Sequence, residues 1–84
     1  MAQYFLAWEK SAAADLSALL ARDGHGAQAV IDLALHVAED PAAAGAVATD
    51  HPDYHSAQRG NWFILFAVDP RFDRLTVVHF GTTI

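Results

Sequence analysis

The chain has no cysteine, which excludes a disulfide framework and any thiolate metal site. A small secreted domain usually needs such staples, so the absence favours the cytosol. Basic residues are scarce as well. Lys10 is the sole lysine, and five basic residues face ten acidic ones for a net charge of −5. Nucleic-acid affinity comes largely from neutralising phosphates, so direct nucleic-acid binding is disfavoured. The acidic charge reads first as solubility and second as a functional surface. Long hydrophobic runs are missing too. The longest, Trp62–Val68, falls far short of the roughly 20 residues that span a bilayer. The opening MAQYFLAWEK is too short and too polar at its ends for a signal peptide. No membrane contact is expected.

What is present supports folding. With 54% hydrophobic and 18% charged residues, the composition is globular rather than disordered. Eighty-four residues suggest one domain over 1–84. A chain of this size buries only roughly 60–65% of the surface its unfolded state exposes. Much of the apolar fraction is alanine, so Trp8, Trp62, the phenylalanines and the Leu/Ile/Val set must supply most of the core.

Gln3–Trp8 reads as a strand, apolar on both faces, which suggests a strand covered on both sides or central in its sheet. Ser11 is the expected N-cap of a first helix, with Ala12, Ala13, Leu16, Leu19 and Leu20 on its apolar face. Gly24 and Gly26 should break that helix around His25. A second helix is expected from about Ala27 to Glu39, its stripe formed by Ala27, Val30, Ile31, Ala34, Leu35, Val37 and Ala38. Asp40-Pro41 ends it. Ala42–Pro52 shows no period and reads as a loop, and Tyr54–Gln58 as a short strand.

Asn61–Val68 is the clearest strand, aromatic and β-branched. Asp69–Asp73 has hairpin-loop chemistry, and Leu75–Phe80 is the return strand. Alternation puts Leu75, Val77 and His79 on one face of it and Thr76, Val78 and Phe80 on the other. The fold class is α+β: strand, helix, helix, then two or three antiparallel strands. The first strand joins that meander, and the helical pair covers one face of the sheet.

This order, with these residues, resembles the RelE/ParE toxin superfamily of type II toxin–antitoxin modules. Trp8-Glu9-Lys10-Ser11, followed by Ala13 and Asp15-Leu16, is similar to the family's strand-to-helix junction. Val37-Ala38-Glu39-Asp40-Pro41 is similar to the end of its second helix. Arg59-Gly60-Asn61-Trp62-Phe63-Ile64-Leu65-Phe66 is similar to the start of its central strand, and Leu75–Gly81 to its final strand. The resemblance implies an antiparallel sheet with a helical hairpin on one face. It also implies a cognate antitoxin, which commonly wraps the toxin with a tail that folds on contact. The mRNA-cleaving branch places an arginine where this chain has Phe63. It places another basic or aromatic group where this chain has Thr82, Thr83 and Ile84. Phe63 cannot stabilise a phosphorane or take a 2′-hydroxyl proton.

Several residues are candidates for chemistry. An imidazole titrates near neutrality and can serve as general acid or base; His79 is the best-placed histidine, with a structural role the commoner outcome. His51, Asp53 and His55 would alternate onto one side of an extended chain and offer three ligands to zinc, against the plainer reading of a polar loop. No cofactor and no metal are expected. Arg59 can meet an RNA phosphate, pair with a partner's carboxylate, or pair with Asp53, the last two being favoured. Lys10 has similar status. Trp62 and Phe66 read as core before they read as a base-stacking platform.

Three functions follow from the resemblance. The first is a ParE-like toxin that acts by binding protein, DNA gyrase being the target in that branch. The second is a ribosome-dependent mRNA endoribonuclease using Arg59, Lys10 and His79. The third is a non-toxic relative that serves as a protein-interaction module and forms a homodimer through the sheet or the first strand.

Overall fold

A computed structural model describes residues 3–83. In chain order the elements are β1 (Phe5–Trp8), α1 (Lys10–Arg22), α2 (Gly24–Glu39), β2 (Val47–Ala48), β3 (Tyr54–Arg59), β4 (Trp62–Asp69) and β5 (Arg74–Thr82). The strands form one sheet in the order β1-β5-β4-β3-β2. The pairs β2–β3, β3–β4 and β4–β5 are antiparallel, and β1 runs parallel to β5.

The strand period of two decides what is buried. Ala57 of β3, Ile64 and Phe66 of β4, and Leu75 and Val77 of β5 all turn to one side. There they meet Leu19 of α1 and Val30, Leu33, Ala34 and Val37 of α2 in a single core. Both helices lie on that side, and the other face of the sheet is left open.

β1 therefore sits at an edge, not at the centre. Its Tyr4, Leu6 and Trp8 side packs against the core. The opposite side has no cover, and Phe5 is 76% exposed. Apolar residues on both faces had suggested cover on both. The helices supply it on one face only.

The start of α1 also differs from expectation. Glu9, not Ser11, is the N-cap. Its backbone is still extended, and its carboxylate accepts from the Ser11 N–H at 3.2 Å and from the Ser11 hydroxyl. Hydrogen bonding from Ser11, the hydroxyl first and the backbone N–H second, holds the Glu9 carboxyl below its ordinary range. A negative charge there also faces the positive end of the helix dipole.

Gly24 and Gly26 do not break a helix; they open α2. The joint between the helices is the single residue Asp23. Its N–H donates to the Leu19 carbonyl, closing α1, and its side chain accepts from the Gly26 N–H at 3.0 Å, starting α2. Gly26 has a packing reason to be glycine. A Cβ there would lie 2.7 Å from Cζ2 of Trp62 and also run into the Asp23 carboxylate.

The buried stripe of α2 contains Leu33, three residues from Val30 and four from Val37, which the expected stripe omitted. Leu35 is 53% exposed instead. In α1 Ala12 and Leu19 are buried, whereas Leu20 is exposed. Each helix touches the sheet and its neighbour over a stripe narrower than its apolar content. The segment read as structureless between α2 and β3 includes the two-residue β2.

A bulge in β5 overturns the expected facing of its second half. Leu65 lies opposite His79 and Phe66 opposite Val77, so Val78 has no counterpart on β4. One extra residue shifts the alternation. Phe80, not His79, then joins Leu75 and Val77 on the core side, where it packs edge-on to Trp8. His79 turns to the open face.

Candidate functional site

The open face of the sheet is the candidate site. By alternation against the buried set, Phe63, Leu65 and Ala67 of β4 point to it. Opposite them stand Gln58, Ser56 and Tyr54 of β3, and Gly81, His79 and Thr76 of β5. Ala7 of β1 and Val47 of β2 extend the surface to both edges. Its centre is apolar and half-exposed.

At one end Phe63 leans on His79, ring centroids 5.9 Å apart and tilted by 56°. Gly81, opposite Phe63, makes room for this. A Cβ at Gly81 would come within 3.1 Å of the Phe63 ring.

The charges of this face gather at its other end, around the β4–β5 turn. Asp69 and Arg74 are cross-strand partners, and Arg71 pairs with Asp69 at 3.2 Å. The Arg71 side chain, donating to Asp69, holds that carboxyl below its ordinary range, and the Arg71 guanidinium is held correspondingly above its own. The guanidinium carbons of Arg71 and Arg74 lie 5.5 and 5.6 Å from the centre of the Phe72 ring. Two acids, Asp69 and Asp73, share this tip, so its cations are largely matched.

The three residues named for nuclease chemistry are placed apart. His79 is exposed on the open face. Arg59 ends β3 opposite Trp62, and alternation turns it to the helix side. Lys10 begins α1, just past the β1–β5 pair Trp8–Val77. β1 and β3 are separated by β5 and β4, which at a strand spacing of about 4.8 Å puts about 14 Å between them. Their backbone positions are also offset along the strands. Lys10 and Arg59 thus flank the sheet rather than converge with His79 on one phosphate. The Arg59–Asp53 pair, one of the three roles open to Arg59, does not form: among the described residues Arg59 has no ion pair.

His51, Asp53 and His55 are not brought together as ligands. β3 begins only at Tyr54, so the three do not share one extended strand. Nδ1 of His51 accepts from the Asp53 N–H at 3.2 Å, and its ring stacks on Tyr54 at 4.4 Å. His55 turns to the core side and lies over Phe66, and its Nδ1 is buried without a hydrogen-bond partner. Among the described residues no group of three or more His, Cys, Asp or Glu is placed to hold a metal.

Trp62 is half-buried and Phe66 buried, so both are core residues. Trp62 also walls a cleft of about 290 Å³ between α1 and the end of the sheet, with Asp15, Leu19, Arg22 and Phe80. Thr82 and Thr83 follow the open face at its His79 end, and Ile84 lies outside the described residues. Among those residues no helix is long and apolar enough to cross a membrane.

The open face was missed as a site in the sequence. The one available signal was that Asn61–Val68 is apolar on both faces. That pattern reads equally as a strand buried on both.

No family model and no curated protein sequence matches the chain. Its structure is similar to a chain in the crystal structure of the RelBE2 toxin–antitoxin complex from Mycobacterium tuberculosis. The TM-score is 0.80 at 20% identity, over 98% of this chain and 93% of that one. At this identity the likeness establishes the fold, which is RelE-like: an α+β sheet, mostly antiparallel, with two helices on one face.

Proposed function

We propose that the chain is a toxin-like protein of RelE/ParE type that acts by binding another protein through the open face of its sheet. The observation carrying this reading is the makeup of that face. Phe63, Leu65 and Ala67 run down its centre, and its arginines, Arg71 and Arg74, stand at the hairpin tip beside carboxylates. An apolar centre with polar surroundings suits a protein partner. A phosphate backbone calls for a row of cations, and the net charge of −5 opposes it further. The likeness to a toxin–antitoxin complex supports a cognate antitoxin as a second partner. DNA gyrase is the target that the ParE-like reading names.

The test is binding of the purified chain to purified DNA gyrase and, separately, to ribosomes, together with growth on induced expression. The proposal expects growth inhibition and binding to gyrase, both lost in Leu65→Asp while folding is retained. Normal growth at high expression, with neither target bound, would count against it.

A second reading is favoured by one observation, the exposure of His79 on the open face beside Phe63. In it the chain is a ribosome-dependent endoribonuclease, with His79 as the general base or acid and Lys10 and Arg59 contacting RNA. Translation-coupled mRNA cleavage in a purified system separates the two.

A further inference from the structure

The free edge of β1 is a surface that the open-face reading does not use. The N–H groups of Phe5 and Glu9 donate inward, to the carbonyls of Asp73, just before β5, and of Val77 within it. Strand alternation therefore turns the N–H and C=O groups of Leu6 and Trp8 outward. Tyr4 is already tied, its N–H donating to the Ala38 carbonyl at the end of α2 at 2.8 Å. The open stretch thus runs over Leu6, Ala7 and Trp8.

Native edges are usually blunted by charge, proline or a bulge. The four residues of β1, Phe-Leu-Ala-Trp, contain none of these. At the opposite edge β2 is only two residues long. Exposed apolar groups flank the β1 edge on both sides of the sheet, Phe5 at 76% and Leu35 at 53% exposure. Leu35 lines a groove with Leu6, Ala38 and Glu39.

We infer that a second copy of this chain pairs with β1, antiparallel, across a two-fold axis at Ala7. In that register Leu6 of each copy exchanges both backbone hydrogen bonds with Trp8 of the other. Ala7 faces its own counterpart, where small side chains allow close approach. Tyr4 of one copy then stands opposite Lys10 of the other.

Charge complementarity selects this occupant. Glu39 follows the residue that ties Tyr4, so it stands at the end of the edge that receives the second copy's Lys10. Among the described residues neither Lys10 nor Glu39 has an ion pair within its own chain. The two-fold makes the Lys10–Glu39 contact twice, as an isologous interface requires. The inference is independent of what the open face binds.

Sedimentation velocity of the full chain over a concentration series tests it. The expected result is a concentration-dependent shift towards twice the 9.1 kDa chain mass. Ala7→Arg sets like charges face to face across the axis and should leave a monomer with unchanged far-UV circular dichroism. Lys10→Glu and Glu39→Lys should each weaken the dimer about tenfold or more, since each reversal acts twice. The double variant should return to within about threefold of the original affinity.

Three results would overturn the inference. One is a chain that stays monomeric to millimolar concentration, whether or not a strand of another protein pairs with β1. Another is a dimer indifferent to Ala7→Arg and to both reversals. The third is failure of the folded double variant to recover affinity.

Discussion

Phe63 rests against His79 on the face of the sheet that neither helix covers, their rings 5.9 Å apart. This contact exists because Val78 is an extra residue in β5, which carries His79 over to the Phe63 side. It joins an apolar ring and the face's histidine at the end of the face remote from Arg71 and Arg74.

Leu65 and Phe66 are neighbours with opposite duties. Phe66 is 1% exposed in the core, and Phe66→Ala should cost about 3–5 kcal/mol, as truncation of a buried phenylalanine does. Leu65 stands on the open face, and Leu65→Ser should cost under about 1 kcal/mol. Urea unfolding of the two variants measures the contrast. Equal losses would mean that the open face is part of a core.

Gly24 and Gly26 should respond oppositely to alanine. Nothing lies within 4 Å of a Cβ built at Gly24, so Gly24→Ala should gain up to about 0.5 kcal/mol, less than the full interior value because Gly24 is the first helical residue. At Gly26 the same gain is outweighed by collision with Trp62 and the Asp23 cap. Overpacking of this kind costs typically about 1–3 kcal/mol. Thermal unfolding should show Tm rising in the first variant and falling in the second.

Glu9 and Asp69 should make stability fall in acid. Both carboxyls are held below their ordinary range in the folded chain. Each therefore contributes fully above its unfolded pKa, and the contribution is lost as pH falls through the lower, folded pKa. Glu9→Gln should lower Tm at neutral pH and make Tm less steeply dependent on pH from about pH 5 down to about pH 2. Glu9 is exposed and Asp69 only half-buried at the surface, so the effect is small and is best read in the double variant Glu9→Gln with Asp69→Asn. A steeper acid dependence in that variant would contradict the assigned sign.

Much of the fold was legible in the sequence, because strand and helix periods are local. Trp62–Val68, the Asp69–Asp73 turn and the α2 stripe through Val30, Ala34 and Val37 needed only their own neighbours to be recognised. Two of the errors, at Gly26 and at His79, depended on something distant. Gly26 looks like a breaker until Trp62 is seen against it. The cap at Glu9 in place of Ser11 is a local miss, since serine is the commoner cap type and Glu9 reaches only two residues on. His79 was assigned to the wrong face because a bulge is a relation between β4 and β5, and alternation within β5 alone does not contain it. The site suffered most for the same reason. An apolar strand looks alike whether helices cover one face or both, and only the finished sheet shows Leu65 and Phe63 uncovered.

Translation-coupled mRNA cleavage by the purified chain, compared with His79→Ala, decides between a protein-binding face and a nuclease face. No cleavage above the ribosome-only background is expected, and no difference between the two proteins, because the apolar centre of the open face offers a phosphate no cation. Cleavage by the native chain that disappears in His79→Ala would contradict it and establish the open face as a nuclease site.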